Sequence, residues 1–328
     1  MTFAIRSRGL FRLAAALFGL LSLPSLHAQF QGLGSLWADD PIPFSEAYAL
    51  SSDGSTVVGV SVDGNGDLRS FRWTAATGMQ ALPVINSDWY GFGYGYSEAF
   101  AVSHDGSVIV GSDYNLDEDQ INGGTIQGYR WTAGATPAAP GTITGLPYVD
   151  PDYTNSIATG VSADGSVVVG REGGDGRAFR WTAATGTVLI GDANSEANAV
   201  SADGSVVVGT SESNAFRWTE AEGLETLAIP DANSSEAYAI SADRSTIVGS
   251  FITNADLDAF NGIERAFAWT TSGVRELDAL FAGDYVATHA HAVSADGRWA
   301  VGHSGESYAE SAVLWDITTG NIWDLNEL

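Results

Sequence analysis

Four glutamates, Glu46, Glu98, Glu196 and Glu236, hold the same place in repeated segments, each directly ahead of an Ala-x-Ala pair. Ile157 and His289 hold that place in the other two segments. Carboxylates gathered around one axis favour a cation or a cationic ligand; the competing role is hydrogen bonding between neighbouring repeats. Paired carboxylates also carry glycoside cleavage, which makes a glycan hydrolase or lyase the enzymatic alternative. A second group lies in three acidic loops: Asp63, Asn65 and Asp67; Asp113, Asn115, Asp117 and Asp119; Asp256 and Asp258. Alternating carboxylates and amides suit the oxygen shell of Ca²⁺, against the simpler reading of solvated loops. The second loop has Glu118 where an EF-hand needs Gly and Gly124 where it needs Glu, so none is an EF-hand.

Aromatic side chains form the third group. Trp89, Tyr90, Tyr94 and Tyr96 join two repeats, Tyr148 and Tyr153 flank Asp150 and Asp152, and Tyr285 follows Asp284. Exposed aromatics beside carboxylates stack on sugar rings or anchor a protein partner; otherwise they fold back as packing. His289-x-His291 points two imidazoles to one face of a strand, the geometry of a ligand pair, although the histidines show no metal-binding spacing as a set. No Gly-x-Ser-x-Gly elbow, Walker loop or His-Glu-x-x-His occurs.

These residues are carried on a chain of 328 residues with 40 Asp+Glu, 14 basic residues (all arginine) and a net charge of −26. Such acidity disfavours nucleic-acid backbones and anionic membranes. The absence of cysteine excludes disulfides, thiol nucleophiles, Cys-ligated metals and a lipidated anchor. A hydrophobic fraction of 45% excludes disorder, and 39 glycines against 9 prolines point to many tight turns. Residues 1–28 read as a secretory signal: Arg6, Arg8 and Arg12, then an apolar core from Leu13 to Leu23, then Leu26-His27-Ala28 ahead of a cleavage site. That core is too short to span a bilayer. Cleavage takes the net charge to −29, because it removes three arginines and no acid. The expected address is the periplasm or the cell exterior, reached by the Sec route, with no stable membrane insertion and a monomeric state.

What must position the chemistry is a repeat. A Ser-x-Asp-Gly turn begins at Ser51, Ser103, Ser162, Ser201 and Ser294, and at Ser241 with Arg244 in place of Gly. A glycine follows each serine at a constant offset: Gly59, Gly111, Gly170, Gly209, Gly249 and Gly302. Each unit reads as four strands: small-x-small-apolar, a β-branched run, an aromatic-Arg-Trp segment, and a short strand after a Thr/Gly turn. Four-strand units of this length predict an all-β fold, a six-bladed β-propeller of antiparallel blades; a β-solenoid is the alternative, disfavoured by the variable repeat length. Residues 29–328 form the single propeller domain. Its repeats span about 45–83, 97–147, 156–191, 195–230, 235–280 and 288–328, with residues 30–37 as an extra closing strand. The arginines 72, 130, 180 and 217 need acidic or carbonyl partners between blades.

The pattern S-x-A-x-A-V-S-x-D-G-S-V-V-V-G … A-F-R-W-T resembles the bacterial extracellular HAF-type repeat family, and its turn is similar to the WD40-like repeats of TolB-type propellers. The resemblance covers the chain from about residue 30 and implies an exported or surface protein. The uniform turns and the variable loops emerge on opposite faces of such a fold. Function gathers on variable loops held by a rigid scaffold. The sequence therefore predicts a non-catalytic binding or scaffold module. Its ligand face carries the acidic and aromatic loops, its partner is a carbohydrate or a cell-surface protein, and Ca²⁺ is the one cofactor indicated. A structural envelope protein is the third alternative.

Overall fold

The repeated turn explains why each unit folds. In all six copies the serine hydroxyl donates to the aspartate at 2.5–2.9 Å. The same carboxylate accepts the amide two residues on, at 2.9–3.1 Å. The serine oxygen accepts the amide that opens the next strand, at 2.9–3.0 Å. One Ser–Asp pair thus satisfies the polar groups that reversing the chain would orphan. The residue after Asp lies at φ near +70°, glycine in five copies. Arg244 adopts φ +66° and keeps every bond of the turn, so the exception is strained but of the same type.

The computed structural model describes residues 32–37, 43–85, 96–115, 125–135, 141–150, 152, 154–253, 263–281, 286–306 and 309–327. Every element among them is a strand. Blade 1 comprises β1 (Ser45–Leu50), β2 (Thr56–Val62), β3 (Leu68–Thr74) and β4 (Gly78–Ala81). Blade 2 comprises β5 (Tyr96–Val102), β6 (Val108–Asn115), β7 (Thr125–Thr132) and β8 (Thr142–Gly145). Blade 3 runs through β9 (Ser156–Val161), β10 (Val167–Glu172), β11 (Arg177–Thr182) and β12 (Gly186–Ala193). Blade 4 runs through β13 (Ser195–Val200), β14 (Val206–Ser211), β15 (Asn214–Thr219) and β16 (Gly223–Thr226). Blade 5 has β17 (Ala232–Ile240), β18 (Thr246–Thr253), β19 (Glu264–Thr270) and β20 (Gly273–Glu276), and blade 6 has β21 (Ala287–Val293), β22 (Trp299–Glu306), β23 (Ala309–Asp316) and β24 (Ile322–Asp324). Each blade is an antiparallel four-strand sheet in sequence order, and one parallel bridge, Leu68 to Tyr96, links blades 1 and 2. This is the six-bladed propeller architecture, and residues 33–328 make one compact unit.

In every blade the first strand bulges beside the repeated glycine of the second. A Cβ on any of these six glycines would fall 1.7–1.9 Å from the carbonyl oxygen of Glu46, Glu98, Ile157, Glu196, Glu236 or His289. The fixed offset in the sequence therefore marks where two backbones touch, and that contact seats the residue carrying the candidate chemistry.

Five joints hold consecutive blades together. At each, a hydroxyl opening the first strand (Ser97, Ser156, Ser195, Ser235 or Thr288) accepts an amide from the third strand of the blade before it. The donors are Ser70, Gly128, Ala178, Ala215 and Ala266, at 2.7–3.0 Å. An apolar core fills each joint, as Val58 with Ala99, Ile109, Tyr129 and Trp131, or Val169 with Ala197, Val207 and Phe216. Arg130 reaches across to the Gly165 carbonyl, at 3.1 and 3.0 Å, and lies over Trp181. Arg180 does the same, less closely, with Gly204 and Trp218. Arg217, opposite a turn that carries Arg244 in place of glycine, folds back within its own blade onto Glu222 at 2.8 Å. Residues 32–37 are irregular, not the expected closing strand: Gly34 accepts from Ser45 and Leu36 donates to Ser61, both in blade 1. The fourth strand of blade 6 is β24.

Candidate functional site

The first strands of consecutive blades pack side by side, so their projecting residues surround one axis. Two tiers result. The upper is Glu46, Glu98, Ile157, Glu196, Glu236 and His289; the lower is Tyr48, Phe100, Thr159, Asn198, Tyr238 and His291. A lower-tier group reaches the next blade. Tyr48 Oη lies 3.1 Å from Glu46 Oε2 and 3.0 Å from Glu98 Oε1, and its ring stacks on Phe100. Thr159 donates to the Ala197 carbonyl. Asn198 Nδ2 donates to Glu236 Oε1 at 3.0 Å and to the Ala237 carbonyl at 2.9 Å. Burial, reinforced by Glu98, pushes the Tyr48 hydroxyl above its ordinary range, so it stays a donor. Burial also raises Glu196, against the pull of Arg171 Nη1 at 3.7 Å. Among the four sequence-predicted glutamates, then, Glu98 and Glu236 accept hydrogen bonds across joints, Glu196 faces an arginine, and Glu46 stands exposed.

The densest chemistry lies at blades 5 and 6. His289 on β21 stacks on His303 of β22, with centroids 4.4 Å apart, and on His291, which lies tilted against His303. His291 Nε2 is 3.0 Å from His303 Nδ1, and His289 Nε2 is 2.7 Å from Glu264 Oε2. Tyr238 lies against His291, and Glu310 sits 3.9 Å from His303. Burial lowers His289 and His291, helped by the charge of His303, and burial raises Glu264. Both partners of the His289–Glu264 contact are thereby pushed toward their neutral forms. No group of three metal-ligating side chains is arranged around a common point among the described residues.

Glu264 also lines a cleft of about 200 Å³ between blades 4 and 5, with Glu236, Thr210, Ser213, Ser234 and Ser250. It opens on the side of the second-to-third strand loops. Two carboxylates and five hydroxyls line it, the fifth being Ser235, together with Phe251 and Ile252. A second cavity, about 430 Å³, lies on the uniform-turn side between Arg180, Arg217, Glu222 and Arg244.

The remaining sequence-predicted residues divide clearly. Asp63 accepts the amides of Asn65 and Asp67 and faces Arg69, which also bonds Asp67 at 3.1 Å; these carboxylates serve their own loop. Asp113 is buried in β6, where it accepts the Ile85 amide at 2.6 Å and ties down the connection from blade 1. Asn115 ends β6, paired with Thr125. Tyr96 packs edge-on against Tyr114, and Tyr148 donates to the Ile126 carbonyl, so both fold back as packing. Trp89, Tyr90, Tyr94, Tyr153, Tyr285, Asp117, Asp119, Asp256 and Asp258 lie outside the described residues, as does the signal segment 1–28. Sequence reasoning missed Glu264, His303 and the cleft hydroxyls. His303 was reachable, because it sits opposite His289 in the hairpin register. Glu264 belongs to the preceding blade, and only the joint brings it to His289.

No protein-family model matches the chain, and no curated protein matches it. Solved structures do. An oligogalacturonate lyase from Vibrio parahaemolyticus aligns at TM-score 0.52 and 10% identity, over 87% of this chain and 78% of that one. Prolyl oligopeptidase B from Galerina marginata aligns at TM-score 0.53 and 11% identity, over 86% of this chain and 42% of its own. TolB from Acinetobacter baumannii aligns at TM-score 0.44 and 13% identity, over 86% and 67%. At such identities the likeness is one of fold, and it places the chain among β-propellers.

Proposed function

We propose that this protein is an exported, non-catalytic binding module that takes a polyhydroxylated ligand, a carbohydrate chain, at the cleft between blades 4 and 5. The cleft itself carries the reading. Glu236 and Glu264 offer paired acceptors to sugar hydroxyls, Thr210, Ser213, Ser234 and Ser250 offer donors and acceptors, and Phe251 and Ile252 add apolar lining. No helix among the described residues is long and apolar enough to cross a membrane. With the signal read in residues 1–28, this supports export. Ca²⁺ remains a proposal for the acidic loops around Asp117 and Asp256, and it predicts a higher melting temperature with Ca²⁺ than with chelator.

The test is a glycan array read with the unmodified chain and with Glu236→Gln/Glu264→Gln. Binding that the double variant loses supports the reading; silence of the unmodified chain across the array overturns it and moves the search to surface proteins. One observation favours an enzymatic alternative. Glu264, raised by burial and touching His289, is poised as an acid–base pair. Turnover of a bound glycan that Glu264→Gln abolishes would establish a hydrolase or lyase.

A further inference from the structure

The cavity on the uniform-turn face plays no part in the carbohydrate site. Its volume of about 430 Å³ falls within the range of about 300–1,000 Å³ that small-molecule sites occupy. Three of the chain's 14 arginines line it: Arg180 of blade 3, Arg217 of blade 4 and Arg244 of blade 5. Glu220 and Glu222 share the lining, so three guanidinium groups face two carboxylates on a molecule of net charge −26. Arg180 and Arg217 are repeat positions. Arg244 is the exception: it replaces the turn glycine and takes φ +66°, which glycine would adopt without strain. Its side chain reaches back over blade 4, where Nη1 lies 2.9 Å from Asp203 Oδ2 and 3.3 Å from Ser205 Oγ.

None of the three arginines is fully used. Arg130, at the neighbouring joint, makes two bonds to the Gly165 carbonyl and one to Thr132 at 2.7 Å. Arg180 makes one contact of 3.4 Å to the Gly204 carbonyl, and its buried Nε has no acceptor among the described residues. Arg217 and Arg244 form their contacts through Nη1 alone, which leaves each fork open to a further acceptor. Glu222 rests on Arg217 from a half-exposed turn, where blades 1 and 3 carry Thr77 and Thr185. The cavity is thus seen with a carboxylate of its own chain on one guanidinium. Trp218 adds an indole surface to the lining, with Arg180 5.9 Å from its ring centre. We propose that the cavity binds a small organic polycarboxylate with a flat or ring-shaped body. Its carboxylates take Arg180, Arg217 and Arg244, displacing Glu222, and its body lies against Trp218. An inorganic oxyanion would fill little of the volume and leave the indole unused.

The test is calorimetric titration of the unmodified chain with benzene-1,3-dicarboxylate. A salt concentration of about 0.15 M shortens the screening length to about 8 Å, so distant acidic residues count for little. Saturable binding is expected, with none for the neutral benzene-1,3-dicarboxamide and about tenfold weaker binding for phosphate and sulfate. Arg244→Gly restores the residue that the other five turns carry, so it is the variant least able to disturb the fold. Its melting temperature is expected to hold or rise while its affinity falls about tenfold or more, and Arg180→Gln is expected to weaken binding likewise. Glu222→Gln is expected to tighten binding, because it removes the internal competitor for Arg217. No saturable binding of the dicarboxylate overturns the proposal. So does equal binding of the diamide, tighter binding of phosphate or sulfate, or an affinity that neither arginine variant lowers.

Discussion

At the scale of single residues, two backbone-level devices repeat six times, and both respond to small changes. Gly209 touches the Glu196 carbonyl so closely that even a methyl group cannot be seated without moving a strand. Gly209→Ala is expected to destabilise the protein by about 3 kcal/mol, measured as a lower urea midpoint at an unchanged slope. The turn aspartates set the acid limit. Hydrogen bonds from the turn hydroxyls and amides hold Asp105, Asp164, Asp243 and Asp296 below the ordinary carboxylate range, and Asp53 at about 2. A depressed folded-state pKa gives stability that is present above the unfolded value and is lost as pH falls through the folded one. Burial raises Asp113, Glu172, Glu196 and Glu264, which works in the opposite sense: protonating them as pH falls from neutrality stabilises the fold. Urea midpoints taken from pH 7 downward are therefore expected to hold or rise toward pH ~4 and to collapse between ~4 and ~2. A steady decline from neutrality would contradict this.

At the scale of elements, the third strand is the fastener. In blades 1 to 5 its amide meets a hydroxyl of the next blade, in blades 2 and 3 its arginine meets the next turn, and in blades 2 to 6 its tryptophan packs into the joint behind it. Arg130 does this most completely, with both guanidinium contacts to Gly165 and the ring of Trp181 beneath. Arg130→Ala is expected to cost about 1–2 kcal/mol, discounted for partial exposure. Arg130→Lys should recover only part of that, since an ammonium cannot reproduce the fork; equal midpoints for Lys and Arg would refute this role. Much at this scale was legible in advance. The offset between turn serine and strand glycine is constant because it measures one hairpin, and the Phe-Arg-Trp alternation sorts core from partner side. What stayed hidden is contact between repeats. Nothing near Asn198 points to Glu236, and nothing near His289 points to Glu264, because the joint angle that unites them is not written in either segment. Acidic spacing alone also could not tell a ligand loop from one closed on itself, as Arg69 closes Asp63 and Asp67.

At the scale of the whole molecule, charge works against compactness. With 40 acidic side chains against 14 arginines, the fold is held by joints while its surface repels itself. Raising NaCl from ~0.01 M to ~1 M shortens the screening length from about 30 Å to about 3 Å. The thermal midpoint is expected to rise by several degrees, because relief of self-repulsion outweighs the weakening of exposed pairs such as Arg177–Asp175 and Arg265–Glu276. A fall in the midpoint with salt would show that ion pairs, not joints, hold the blades.

The hydroxyl that fastens each blade to the one before it has an evolutionary meaning. Ser195 and Ser235 are the same fitting, and each accepts the same amide of an equivalent strand, Ala178 or Ala215. If residues 195–234 were excised, Ala178 would meet Ser235, and no junction would have to be invented. Blades of this kind are interchangeable parts.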